Sequence, residues 1–292
     1  MMTDEKSTIR SRELGDALRL AMERAHLNGK RAAELLGWSE SRVSRVLTGQ
    51  LAIPEVDVAS FLAVCQVTGE ERLRLLELAR ERDSRGWLQQ YGSGLPEQLR
   101  TLISHENRAN EITEFEALRI PGLLQTGDYA KALIERVATV PADEVGSRVT
   151  ARLGRQGLFS SDRRPQCTFY LHELMFYLPV GGRAVMSEQM HHLLRMSVRS
   201  YLTIRVIPAA YGAHAGTSGA CRLMESAEFR PVAYVEEETA GHFLEEPDEI
   251  AAYRKVFAAL ANCALDEGQS KDLIARLAVD LYADREDHHD RA

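Results

Sequence analysis

The chain has 292 residues, 45% apolar and 27% charged, with a net charge of -7. That is ordinary globular composition and roughly two domains' worth of chain, and it excludes wholesale disorder, collagen-like repeats and low-complexity architectures. The four cysteines never form a CxxC pair, which excludes a disulfide-stapled scaffold and the usual zinc-finger spacings and fits a reducing cytoplasm. The N-terminal stretch lacks a secretory pattern, and no apolar run is long enough to span a bilayer. The expectation is a soluble, cytoplasmic, two-domain protein with no membrane contact.

The charge is uneven. Residues 1–50 carry nine Lys/Arg against seven Asp/Glu, and the remainder 27 against 36. A mildly basic head precedes an acidic body, and local rather than total charge governs contact with phosphates. The head reads as five short helices. Leu14, Leu18, Ala21 and Ala25 recur at helical spacing, with Arg12, Arg19 and Arg24 elsewhere on the wheel. Asn28 is the expected N-cap of a second helix over 30–36, and Gly37 supplies the following turn. Ser39 caps a third helix over 40–47, which Gly49 ends. Pro54 opens a fourth, with Val58, Phe61, Leu62 and Cys65 inward. Thr68 and Glu71 make a capping box for a fifth, with Leu73, Leu76 and Ala79 on one face.

Such a set of helices fits a plain packing module, but the detail of 29–48 points further. Ala33 sits where the second and third helices cross, and a larger side chain there would push them apart. Gly37 makes the turn four residues on, and Val43 and Val46 anchor the third helix. This spacing is that of a helix-turn-helix, whose second helix enters the major groove. The segment AELLGWSESRVSRVLTGQ resembles the corresponding part of XRE-type, repressor-like DNA-binding domains, and in order and helix count the resemblance covers about residues 9–83.

With Val43 and Val46 inward, Glu40, Ser41, Ser44 and Arg45 are the expected base-facing side chains, with Arg42 at the margin. By the resemblance, Glu40, Ser41 and Arg45 occupy base-reading positions. Arginine can grip guanine O6 and N7 with two donors, and glutamate can accept from cytosine N4. Lys30, Arg31, Ser39 and Arg42 are expected at phosphates, as is the start of the second helix near Asn28. Trp38, in the turn, is expected to pack over the helix junction.

Residues 84–97 read as a linker, with Trp87 and Tyr91 suggesting that it docks. The body, 98–284, reads as an α+β domain with a small mixed sheet. Helices are expected over 101–116, from Thr126 through Ile134, and over 142–159, 185–200, 248–265 and 269–283. Strands are expected over 166–175, 201–207, 220–225 and 232–237. Ile120-Pro121-Gly122 suits a type II turn. Residues 285–292 read as a tail.

The blocks IPGLLQTGDYAKAL, FYLHE, GGRAVM, LTIRVIP, AYGAHAG and AYVEEETAGHFLEEPDEI occur in that order. They resemble the C-terminal domain of unknown function that follows the helix-turn-helix in a large actinobacterial XRE regulator family with WhiJ-like and antitoxin-like members. The resemblance implies transcriptional regulation, and a small acidic partner protein encoded nearby.

Enzymatic machinery is not apparent. There is no GxSxG, phosphate loop, GxGxxG or HExxH. His172-Glu173 face opposite sides of a strand-like run, and His191-His192 diverge on a helix. Only His214 and His242 with Glu236 and Glu238 offer a conceivable metal set. Neither a cofactor nor a metal is expected, and no enzymatic activity. Three readings stay open: a sequence-specific, homodimeric DNA-binding regulator whose C-terminal domain dimerises and senses a partner or ligand; an antitoxin-like protein whose primary act is binding a small acidic protein; and an enzyme or ligand-binding protein targeted by its head.

Overall fold

In the computed structural model, which describes residues 8–80, 87–90, 97–237 and 240–282, helix α1 (Ile9–Arg24) begins where the Thr8 hydroxyl accepts the Ser11 N–H at 3.2 Å. Helices α2 (Gly29–Leu36), α3 (Glu40–Leu47), α4 (Glu55–Val64) and α5 (Gly69–Arg80) follow. Leu14, Leu18, Ala21, Ala33, Val43, Val46, Val58, Phe61, Leu62 and Leu75 close over one core. Each large side chain there contributes about 1.5–3 kcal/mol of burial. Helix α5 buries Ala79 and packs Leu76 partly buried against the core, as expected, but Leu73 is 67% exposed and Leu75 takes the buried place. Glu71 receives Arg24 Nη2 at 2.5 Å.

The chain forms two compact units. The described part of the first is 8–80 and 87–88 with two later segments, Ser226–Val232 and Phe243–Glu246. Within it Glu245 accepts the Ile9 N–H at 2.9 Å, which sets a carboxylate at the positive end of α1. Arg12 is buried, its guanidinium 4.4 Å from the Phe229 ring centre.

The strands form a seven-stranded mixed sheet of order β1-β7-β6-β5-β2-β3-β4. The strands are β1 (Trp87–Gln90), β2 (Glu111–Glu116), β3 (Gln166–His172), β4 (Leu202–Ile207), β5 (Cys221–Glu225), β6 (Val232–Glu236) and β7 (Ala240–Leu244). β2 runs parallel to β3, and β3 to β4, with Ile112 beside Cys167 and Phe169 beside Ile204; β5 is antiparallel to β2. Parallel neighbours need long crossovers. Here they are made by α7 (Gly127–Ile134) with α8 (Val145–Gly154), and by α9 (Arg183–Met196). Helix α6 (Glu97–Arg108) lies between β1 and β2 in the chain, and α10 (Pro247–Cys263) and α11 (Glu267–Tyr282) close the second unit.

Several elements depart from expectation. The helix over 101–116 stops at Arg108, and Glu111–Glu116 is a strand. The Asn110 N–H turns to Glu225 O and the Asn110 carbonyl to the Gln166 N–H, so partners distant in sequence take over from helical ones. Gly122 opens a short 3-10 helix at negative φ rather than completing a type II turn. Behind it lies Arg155, whose Nη1 would stand 3.2 Å from a Cβ. Strand β3 ends at His172 and passes into a 3-10 turn, Glu173–Tyr177. Strand β7 has no counterpart in the expected elements, and β1 falls within the expected linker. Tyr91, the Trp87 side chain and the tail 285–292 lie outside the described residues.

A charged network runs through the interior of this unit. Glu106 accepts Arg155 Nε and Nη2 at 2.9 and 2.6 Å, and also Arg222 Nη1. Arg222 in turn donates Nε and Nη2 to Glu114 at 3.0 and 2.7 Å. Burial pushes the Glu106 carboxyl up, but Arg155 and Arg222 together hold it below the ordinary carboxylate range. Arg119 bridges Glu116 at 3.1 Å and Glu236 at 2.6 Å. Burial wins at Glu116, whose pKa is raised to about 7. Breaking such a buried pair by deleting one partner costs about 3–5 kcal/mol. The four cysteines are free and buried.

Candidate nucleic-acid interface

The α2–turn–α3 pair is set by local chemistry at each end. Asn28 Oδ1 accepts the Arg31 N–H at 2.8 Å and starts α2. Gly37, at φ +67°, ends it in the left-handed region, where a side chain would be strained. The Trp38 N–H then reaches Ala33 O at 2.9 Å. Ser39 Oγ accepts the Arg42 N–H at 3.1 Å, and α3 begins. Val43, Val46 and Leu47 are buried beneath it.

The opposite face of α3 is open. Glu40, Ser41, Ser44 and Arg45 are exposed, and their side chains have no hydrogen bond or ion pair among the described residues. The groups expected at phosphates are placed less uniformly. Asn28 and Ser39 serve as caps. Arg31 Nη1 pairs with Glu34 at 2.9 Å. Arg42 Nη2 meets Asp57 Oδ2 at 2.5 Å, with its guanidinium 4.2 Å from the Trp38 ring centre. Lys30 is exposed and carries no such pairing. Trp38 itself is half-buried against the core, 6.2 Å from the Phe61 ring.

Three features that hold α3 lie beyond the sequence-based expectations. Arg19 Nη2 donates to Leu47 O at 2.8 Å, occupying a carbonyl at the helix end. A Cβ on Gly15 would stand 2.7 Å from Val46 O and 2.9 Å from Leu47 O, so α1 crosses the end of α3 at backbone contact. Gly49, at φ +69°, meets the Arg12 backbone in the same way, at 2.7 Å. A glycine inside an otherwise helical pattern costs about 1 kcal/mol and signals close approach, so Gly15 carries a usable clue.

The histidine groupings considered for catalysis or metal binding are arranged otherwise. His172 and His214 stack with ring centres 5.2 Å apart. Nδ1 of each accepts a backbone N–H, from Leu174 at 3.1 Å and from Gly216 at 3.0 Å, and burial pushes both below the usual histidine value. His191 Nδ1 lies 2.8 Å from Ser187 O, one turn back along α9. His242 lies 3.5 Å from Glu237, whereas Glu236 is committed to Arg119. Glu238 falls outside the described residues. Among the described residues no cluster of three or more His, Cys, Asp or Glu is placed to hold a metal, and no helix is long and apolar enough to cross a membrane.

Residues 13–75 match the family described as a helix-turn-helix domain, and residues 99–276 match the family described as a domain of unknown function (DUF5753). No curated protein and no solved structure matches the chain.

Proposed function

Because this chain belongs to the DUF5753 family and carries a helix-turn-helix domain ahead of that region, we propose that it is a sequence-specific transcriptional regulator of the XRE type, WhiJ-like in kind. Its head, 9–83, lays α3 in the major groove. Glu40, Ser41, Ser44 and Arg45 face base edges, and Lys30 with the start of α2 faces phosphate. The observation that carries this reading is the contrast between the two faces of α3. One is fixed by Val43, Val46 and the Arg19–Leu47 bond, and the other presents unengaged polar groups. A helix rigidly held from behind and open in front suits readout of the groove, because its donors and acceptors need not break internal bonds to reach a base.

One head makes few base contacts, so useful specificity favours a dimer on half-sites about 34 Å apart, one helical turn. The body, 98–284, supplies the dimer contacts and senses a partner or ligand. The regulator works in the cytoplasm, and the reading assigns no reaction to the chain. Selection of bound duplexes from a random pool with the full-length protein tests it. A recovered motif with repeated half-sites, and affinity that falls steeply with salt through counterion release, supports the reading. Failure to enrich any sequence, with no salt-sensitive DNA binding, overturns it.

A further inference from the structure

A cavity of about 490 Å³ opens in the second unit, within the range of about 300–1,000 Å³ typical of small-molecule sites. Leu102, Ile134, Val137 and Val140 line its apolar part. Five arginines also line it: Arg119, Arg148, Arg152, Arg155 and Arg222. Four are neutralised at ion-pair distance. Arg119 has Glu116 and Glu236, Arg148 has Glu144, Arg155 has Glu106, and Arg222 has Glu114 and Glu106.

Arg152 is the exception. Its Nη1 donates to Gln125 Oε1 at 3.2 Å, and no carboxylate comes within ion-pairing distance among the described residues. Gln125 is itself locked: it is 1% exposed and donates Nε2 to Ile120 O at 2.7 Å, so its Oε1 is held toward the guanidinium as a neutral acceptor. Burial, with Arg155 and Arg119 adding to it, pushes the Arg152 pKa down to about 10 against the opposing pull of Glu236 and Glu116, neither of which reaches ion-pair distance. A guanidinium held in a pocket by one neutral bond keeps further donors for a planar anion.

We propose that this cavity binds a small organic carboxylate, with Arg152 gripping the carboxylate and the Leu102–Ile134–Val137–Val140 wall covering an apolar body. The paired arginines do not compete for the anion, because each already meets a carboxylate of the chain. The neighbouring Glu116 and Glu236 limit the anion to a compact single charge, since a polyanion would be repelled by them. The proposal deepens the sensing role of the body and rests on it. Its test contains no DNA, so failure of the pocket and failure of the DNA reading are separate results.

The full-length protein is titrated by calorimetry and thermal melting with acetate, octanoate, phenylacetate and naphthoate, each beside its neutral primary amide. The expected result is that at least one of the larger carboxylates binds and raises Tm, while its amide and acetate do not. Arg152→Gln should weaken that binding about tenfold or more, because a charge-assisted bond is lost, and should keep a melting transition like that of the parent. Val137→Phe, which fills the wall and leaves the charge in place, should block the apolar body. No carboxylate binding at millimolar concentration, equal binding of acid and amide, or undiminished binding by folded Arg152→Gln would each overturn the proposal.

Discussion

Arg19 reaches from α1 to the carbonyl of Leu47 at 2.8 Å and so fastens the last turn of α3 to the body of the head. A hydrogen bond from a charged donor contributes about 1.5–3 kcal/mol when its acceptor would otherwise go without. Arg19→Met keeps the apolar stem but frees the carbonyl. The expected loss is about 1–2 kcal/mol of stability, at the low end because the site is half-buried. Affinity for operator and for random duplex should fall together, since the whole helix loosens. Urea unfolding and duplex titrations on the same variant check this, and loss of operator preference with unchanged stability would contradict it.

At Gly15 two effects oppose each other. Alanine is the better helix former by about 1 kcal/mol. Its Cβ, however, would stand 2.7 Å from Val46 O and 2.9 Å from Leu47 O, both backbone atoms. Overpacking of this kind costs about 1–3 kcal/mol, so Gly15→Ala should be net destabilising. A melting curve at or above that of the parent would show that α1 and α3 can move apart without cost.

Reading and holding separate at Arg45 and Lys30, both exposed and unengaged. Arg45→Ala should cost about 1–3 kcal/mol on the selected site and relax preference at one base-pair position. Lys30→Ala should weaken selected and scrambled duplex alike and flatten the salt slope by about one unit. Equal losses on both duplexes from both variants would mean that Arg45 does not read a base and that α3 sits in the groove with a different face toward the bases.

Glu116 makes stability depend on pH. Burial raises its pKa from 4.5 to about 7 in the folded protein, with Glu114 adding to the rise and Arg119 opposing it. The folded state therefore holds the proton more tightly than the unfolded one. Its contribution is complete below about pH 4.5 and is lost as pH rises toward 7. The histidines His172, His192 and His214, all pushed down, act in the opposite sense and lose their contribution as pH falls below 6.5. The comparison with Glu116→Gln, which retains those histidines, isolates the carboxyl. Unfolding free energies measured from pH 5 to pH 8 should converge toward, or cross in favour of, the variant as pH rises. Parallel curves would refute the assignment.

How much of the fold is legible in the sequence follows from the range of the interactions. Asn28, Gly37 and Ser39 act on residues within one turn, so α3 is expected over 40–47 and is found at Glu40–Leu47. The Arg19–Leu47 bond spans 28 residues and leaves no local trace. The stretch ending in EITEFE reads as the tail of a helix, although Ile112 and Phe115 take their strand geometry from Cys167, Tyr170 and Cys221 far along the chain. Arg222 and Glu106 are 116 positions apart, and nothing in the composition announces their pairing. Arg152 stands out only once every neighbouring arginine has its carboxylate. Helical spacing alone puts Leu73 inward, yet the core takes Leu75, because the face of α5 is chosen by what it packs against.

The buried cysteines turn the molecule into its own clock. Alkylation needs a thiolate and an open path. Burial denies the path to all four and pushes Cys167 and Cys221 up to about 12. A labelling reagent therefore waits for a local or global opening, and the mass gained over time counts those openings. Cys65 belongs to the first unit, and Cys167, Cys221 and Cys263 to the second. Peptide-resolved labelling of the unmodified chain would time the breathing of the helix-turn-helix head and of the cavity-bearing body side by side, with no probe introduced.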